Sequence, residues 1–213
     1  MRAKVRLMGR LYLFIFVLWG LYRLIFRLPG EVEELFLKPL LWLVPTFYVV
    51  YIVEKKGLSS LGFGLKNLLK DISRGLLFSL LFFLIGLSIN YIKNNFFSFT
   101  EIFLNNNYVF MLLFSLVTAV CEETVFRGYF QNRLEQLTKN KLFSNIIASA
   151  LFVLIYLPIT VFAYHYSLPQ IFIFLTLVFL GSFGSGLLFS WTGTVWASII
   201  IHFFWSWPTT IFK

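Results

Sequence analysis

Residues 142–164, LFSNIIASALFVLIYLPITVFAY, run without a charged side chain. At 1.5 Å per residue a helix over this stretch is about 34 Å long, enough to cross a hydrocarbon core of about 30 Å. Similar low-charge runs lie at 7–28, 35–53, 75–92, 107–125, 169–190 and 193–212. They predict an all-α polytopic membrane helix bundle of about seven spans, with residues 1–213 forming a single integral membrane domain. The first run follows a basic start, as a signal peptide does, but Arg23, Arg27 and Pro29 come next and no small-x-small cleavage site follows. It is read as a retained span.

The composition agrees with that reading. Apolar residues make up 59%, aromatic residues 21% and charged residues 13%, with a mean hydropathy of +0.84. A soluble domain is about a quarter charged, so too few polar groups are present to cover a globular surface in water. Disorder, a disulfide scaffold and nucleic-acid binding are excluded together. The net charge of +9 does not argue otherwise, because the basic residues lie between apolar runs, where they meet phospholipid. With the N-terminus in the cytoplasm, thirteen of the eighteen Lys and Arg fall on the inner side, which sets the expected topology. Leu65, Leu68, Leu69 and Ile72 recur at helical spacing within Leu58 to Arg74 and predict a separate interfacial helix on the cytoplasmic leaflet. Arg10, Arg23 and Lys38 read as snorkelling anchors.

Ionisable groups inside a span cost roughly 2.5 to 3.5 kcal/mol each even on the lenient insertion scale, so they mark candidate sites. The sequence Val120-Cys121-Glu122-Glu123-Thr124-Val125-Phe126-Arg127-Gly128 places two carboxylates and a guanidinium in one such run. Glu123 and Arg127 are four residues apart and pair on one helix face, while Glu122 is rotated about 100° from Glu123. By helical rise Glu122 lies about 21 Å from Tyr108, under about 10 Å from the inner edge of the core. His202 interrupts the last run at a matching depth, and Ser206 shares its face one turn on. Glu122, Glu123, Tyr156, His202 and Ser206 are expected to converge on one polar cavity opening to the cytoplasmic side.

Glu122-Glu123-x-x-x-Arg127-Gly128 resembles the EExxxR motif of the CAAX prenyl endopeptidase and bacteriocin-processing (CPBP/Abi) family of intramembrane glutamic proteases. Ser149 to Pro158, containing Phe152 and Tyr156, resembles the family's FxxxH segment. Thr192 to Ser198 followed by His202 resembles the lead-in and first residue of its HxxxN motif. The resemblance covers a core of residues 107–208. It implies that Glu122 activates a water for attack on a peptide carbonyl, that Glu123 and Arg127 support it, and that His202 orients the water or the intermediate. Two positions depart from the pattern: Tyr156 stands where the second-motif His belongs and Ser206 where the third-motif Asn belongs. A phenol donates a hydrogen bond but does not take up a proton at pH 7 as an imidazole does.

The expected function is therefore an intramembrane endopeptidase acting on a membrane-associated or lipidated peptide or protein near the cytoplasmic leaflet. The alternative is a catalytically silent relative that binds a membrane partner or confers bacteriocin immunity. A proton-conducting channel or transporter ranks below both, because no inverted repeat is visible. No cofactor is expected. Zinc competes less well, since catalytic zinc takes three protein ligands with His prominent and no second convergent His is present. Cys121 beside two carboxylates reads as packing, as do Gly181, Gly184 and Gly186. Membrane lipid is an expected partner and nucleic acid is not; the oligomeric state is left open by the sequence.

Overall fold

The computed structural model describes residues 2–26, 28–99, 108–205 and 207. Among the described residues, six helices are long and apolar enough to cross a membrane: α1 (Arg2–Ile25), α2 (Gly30–Val53), α3 (Leu68–Asn94), α4 (Val109–Thr138), α5 (Lys141–Ala163) and α6 (Leu168–Thr192). A shorter apolar helix, α7 (Val195–Trp205), follows. The protein is an integral multi-pass, all-α membrane bundle. The seventh expected span is thus described over eleven residues, about 16 Å of helix, which does not cross the core by itself.

The bundle is polar inside and apolar outside, as lipid demands. Leu, Phe and Ile side chains such as Leu13, Phe36, Leu77 and Phe172 are exposed, whereas Glu122, Glu123, Arg127, Gln131 and Asn145 are buried. Aromatic rings join α1, α2, α4 and α5: Trp19 of α1 meets Trp42 of α2 at 5.4 Å, Trp42 meets Phe126 of α4 at 5.8 Å, and Phe126 meets Phe152 of α5 at 4.9 Å, all edge to face.

Proline shapes the local geometry. Pro39 lies inside α2 and Pro158 inside α5, where each lacks the N–H that would close an α-helical turn. The backbone passes into π-helical turns at Pro39–Leu43 and Ile159–Ala163. Lys38 lies between the π turns Glu33–Leu37 and Pro39–Leu43. A longer π segment, Thr124–Gln131, begins directly after the carboxylate pair of α4, and no proline accounts for it.

The amphipathic pattern over Leu58 to Arg74 does not form a separate interfacial helix. A short 3-10 turn spans Leu58–Leu61, and from Leu68 the chain is already α3. The cause is Asp71, which is fully buried, accepts a hydrogen bond from Thr194 Oγ1 at 2.8 Å and pairs with Arg74 at 3.0 Å. Those bonds tie the start of α3 to the α6–α7 turn. The Gly62 carbonyl and the Val195 N–H add a backbone bond of 3.1 Å there.

Close approach of α3 and α7 depends on Gly75. A Cβ on it would lie 2.7 Å from Ile200 Cβ and 2.9 Å from the Ala197 carbonyl oxygen. Gly184, by contrast, has only Phe82 nearby, at 3.9 Å. Gly75→Leu is therefore expected to lower stability by about 1–3 kcal/mol through overpacking, whereas Gly184→Ala is expected to be neutral or to gain up to about 1 kcal/mol of helix propensity. Unfolding midpoints of the purified variants in one detergent measure both.

Candidate active site

Consecutive helical residues point about 100° apart, and in α4 this aims Glu122 and Glu123 at different neighbours. Both side chains are 1% exposed. Glu122 faces α2 and α5: Lys38 Nζ donates to its Oε1 at 3.0 Å, and the Tyr156 hydroxyl lies 2.8 Å from both carboxylate oxygens. Glu123 faces α6 and α7: Ser185 Oγ donates to its Oε2 at 2.6 Å, and Arg127 Nε lies 3.2 Å from the same oxygen. The imidazole of His202 bridges the pair, with Nδ1 2.7 Å from Glu123 Oε1 and Nε2 3.5 Å from Glu122 Oε2. Arg127 is fully buried and its Nη2 is 2.7 Å from both the Ser182 carbonyl and the Ser182 hydroxyl.

Five of the six residues expected at the site, Glu122, Glu123, Arg127, Tyr156 and His202, thus meet in one hydrogen-bonded cluster. Ser206 lies outside the described residues. Lys38 was expected to be a snorkelling anchor, and the structure corrects this: it is 4% exposed and forms ion pairs with Glu122 and, at 2.5 Å, with Glu34. Glu34 in turn accepts a hydrogen bond from Thr118. Arg23 is likewise no free anchor, since it forms an ion pair with Glu33, which also accepts from the Tyr22 hydroxyl. Spacing along α2 does link Glu34 to Lys38 at i,i+4, but Lys38 and Glu122 are 84 residues apart, so only the packed bundle brings them together. Ser182 and Ser185, also absent from the expected set, serve as partners of Arg127 and Glu123 from the small-residue stretch of α6.

Above the cluster is a cavity of about 750 Å³. Its wall is formed by positions within 82–93 of α3, 114–118 of α4, 152–156 of α5, 174–182 of α6 and 201–205 of α7, with Glu123, Tyr156 and His202 facing it at one end and Lys93 at the other. The cavity, expected to open on the cytoplasmic side, extends from the cluster toward the C-terminal ends of α3, α5 and α7. Glu122 lies near the middle of α4, which runs on past the charges to Thr138 as the apolar pattern through Phe130 toward Leu137 predicts. Among the described residues, no group of three or more His, Cys, Asp or Glu side chains is arranged to hold a metal ion. Cys121 is buried and its thiol is free.

The fold and cluster together define a polytopic membrane protein with a carboxylate–imidazole centre at the foot of an apolar cavity. Residues 104–208 match the family model described as type II CAAX prenyl endopeptidase Rce1-like, the protease family that the motifs of this chain resemble. No curated protein and no solved structure matches the chain.

Lys38 lies outside the matched segment yet compensates the buried Glu122 and the partly buried Glu34. Removing one partner of a buried ion pair costs about 3–5 kcal/mol, so Lys38→Met is expected to destabilise by that order. Adding Glu122→Gln to Lys38→Met should return part of the loss, because the amide leaves no net charge at that position. A double-mutant cycle of unfolding free energies in detergent checks this; strict additivity would contradict the pairing.

Proposed function

We propose that the protein is an intramembrane endopeptidase that hydrolyses a peptide bond of a membrane-associated or lipidated peptide or protein with a water activated by Glu122. The observation that carries this reading is the imidazole of His202, held within 2.7 Å of one buried carboxylate and 3.5 Å of its neighbour at the end of an apolar cavity. The match of residues 104–208 to a protease family model supports the same class of reaction.

The chemistry follows from the groups present. Glu122 Oε1 carries the Lys38 ammonium, which leaves Oε2, on the His202 side, as the proton acceptor. A water there gives a proton to Glu122 as its oxygen adds to the peptide carbonyl carbon. Collapse of the tetrahedral intermediate breaks the C–N bond, and the proton passes to the departing amine nitrogen. Glu123, itself neutralised by Arg127 and bonded to Ser185, fixes the His202 ring through Nδ1 and leaves Nε2 to orient the water. Tyr156 is a donor in this scheme. Its hydroxyl holds the Glu122 carboxylate in place and can turn to the oxygen of the intermediate, which a second imidazole would otherwise serve. Such a centre needs no resident cofactor to balance the reaction.

Glu122→Gln preserves shape and hydrogen bonding but cannot accept a proton. It is expected to lower cleavage of a membrane-anchored peptide library by about 10²-fold or more with the protein still folded. Full activity in the purified variant would remove Glu122 from this role.

One observation favours a second reading, that of a catalytically silent relative that binds a membrane partner. Both Glu122 oxygens already have donors, from Tyr156 and Lys38, and the carboxylate is set back from the cavity wall. Tyr156→His separates the two readings. On a weakened protease scaffold it supplies a proton-accepting ring and raises the cleavage rate, within the roughly 10²- to 10⁴-fold typical of acid–base catalysis. In an enzyme that uses the phenol as a donor it lowers the rate, and Tyr156→Phe lowers it further. No cleavage by wild type or either variant, with partner binding unchanged, would leave the silent reading.

A further inference from the structure

We propose that Glu34 is a positioning residue of the centre: as a second carboxylate on the Lys38 ammonium, it keeps Glu122 able to take up a proton. This deepens the endopeptidase reading and rests on the role that reading gives to Glu122.

A two-rung ladder joins α2 to α4. Glu34 and Lys38 are four residues apart on α2, and Thr118 and Glu122 are four apart on α4, so each pair shares a helix face. The Thr118 hydroxyl donates to Glu34 Oε2, and Lys38 Nζ donates to Glu122 Oε1 at 3.0 Å. Lys38 also donates to Glu34 Oε2 at 2.5 Å, which connects the rungs. The ammonium is thereby shared between two carboxylates, with Trp19 and Trp42 on its flank, each ring centroid 5.8 Å away. Glu34 stands at the edge of this array, its side chain 23% exposed, while Lys38 and Glu122 are shut in.

The balance of charges decides what this sharing does. Lys38 and Glu122 alone sum to zero. A proton added to Glu122 would then leave a bare ammonium among apolar groups, which a low-dielectric interior opposes. With Glu34 the trio carries one net negative charge, and the proton that Glu122 takes from water brings it to zero. Proton uptake by the base becomes the step that removes the uncompensated charge, and the Thr118 hydroxyl holds Glu34 where it has this effect.

The other groups around Glu122 do not supply the imbalance. On α4, Glu123 is paired with Arg127, and Cys121 is a buried thiol. From α5 Tyr156 offers a phenol that donates, and from α7 His202 has a carboxylate on each nitrogen. Near Glu34, Arg23 of α1 is engaged by Glu33, and Tyr164 lies just beyond α5 within electrostatic range.

The two contacts of the ammonium put Glu34 Oε2 and Glu122 Oε1 no more than about 5.5 Å apart. At an effective dielectric constant of about 20, removing a charge at that distance moves a titration by about two pH units. The acidic limb of the rate profile follows protonation of the base. Glu34→Gln should therefore move that limb to lower pH by about one to two units, and the weaker base should lower kcat about tenfold with KM little changed.

The test uses the full chain in detergent, with the membrane-anchored peptide library as substrate and an infrared titration of the protein alone as a second readout. A carboxyl band that appears when the wild type is acidified and is missing from Glu122→Gln belongs to Glu122. In Glu34→Gln this band should shift in the same direction as the limb. Glu34→Asp keeps the charge and should hold both close to wild type. Thr118→Val loosens Glu34 without removing a charge and should give a smaller shift of the same sign. Unfolding midpoints check that the variants are folded, as Glu34→Gln should be, since it leaves Lys38 and Glu122 as a neutral pair. A limb and band that stay in place in Glu34→Gln, or move to higher pH, overturn the role, and so does an equal shift in Glu34→Asp. If the wild type cleaves nothing, or Glu122→Gln cleaves fully, the endopeptidase reading falls, and the infrared titration alone decides whether Glu34 sets the proton affinity of Glu122.

Discussion

Two adjacent carboxylates buried in a lipid-facing bundle impose the constraint from which the rest of the structure follows. An uncompensated charge in such a medium costs several kcal/mol, so each carboxylate must be met by a cation or by several donors. Glu122 draws Lys38 and Tyr156 toward it, and Glu123 draws Arg127, Ser185 and His202. These partners come from α2, α4, α5, α6 and α7. The polar interior therefore acts as the specific contact between helices whose apolar faces would be equally well satisfied by lipid.

Backbone irregularity serves the same end. Prolines inside α2 and α5 and the π segment that starts at Thr124 change how side chains are distributed around their helices. Lys38, between two π turns, reaches across to α4 while its stem passes Trp19 and Trp42, each ring centroid 5.8 Å from the ammonium. The residues after the π start are all buried and carry Arg127 and Gln131 to α6, where Ser182, Gly186 and Ser190 receive them. Gly186 is required there, since a side chain would overlap the amide of Asn145.

The centre is asymmetric in a way that bears on chemistry. His202 has a carboxylate on each nitrogen, so its ring orientation is over-determined, whereas the position opposite holds a phenol. A phenol and an ammonium on Glu122 organise the carboxylate as an acceptor, and Lys38 is supplied by a helix outside the segment matched to the protease family. The N-terminal helices are consequently part of the centre and not only membrane anchors. The cavity extends from this centre along one half of the bundle, which gives the site a direction as well as a composition.

The membrane class, the positions of the six long helices and most of the cluster were legible in the sequence, because they depend on local quantities: run length, charge content and helical spacing. Glu123 and Arg127 had to meet, being four apart on one helix. Motif order also pointed to His202 and Tyr156 as partners of the carboxylates. What the sequence could not decide involved distant pairs. Lys38 in an apolar run looks the same whether it snorkels or pairs with a residue 84 positions away, and an Asp71 bound by Thr194 looks like the polar face of an interfacial helix. The direction of the cavity was likewise hidden, because empty space belongs to no residue and is set by how five helices pack around it. Local periodicity thus determined which segments cross the membrane and which charges they carry. Only tertiary packing decided which charges neutralise one another and on which side the space between the helices lies, because both depend on distances between helices that spacing along one chain does not encode.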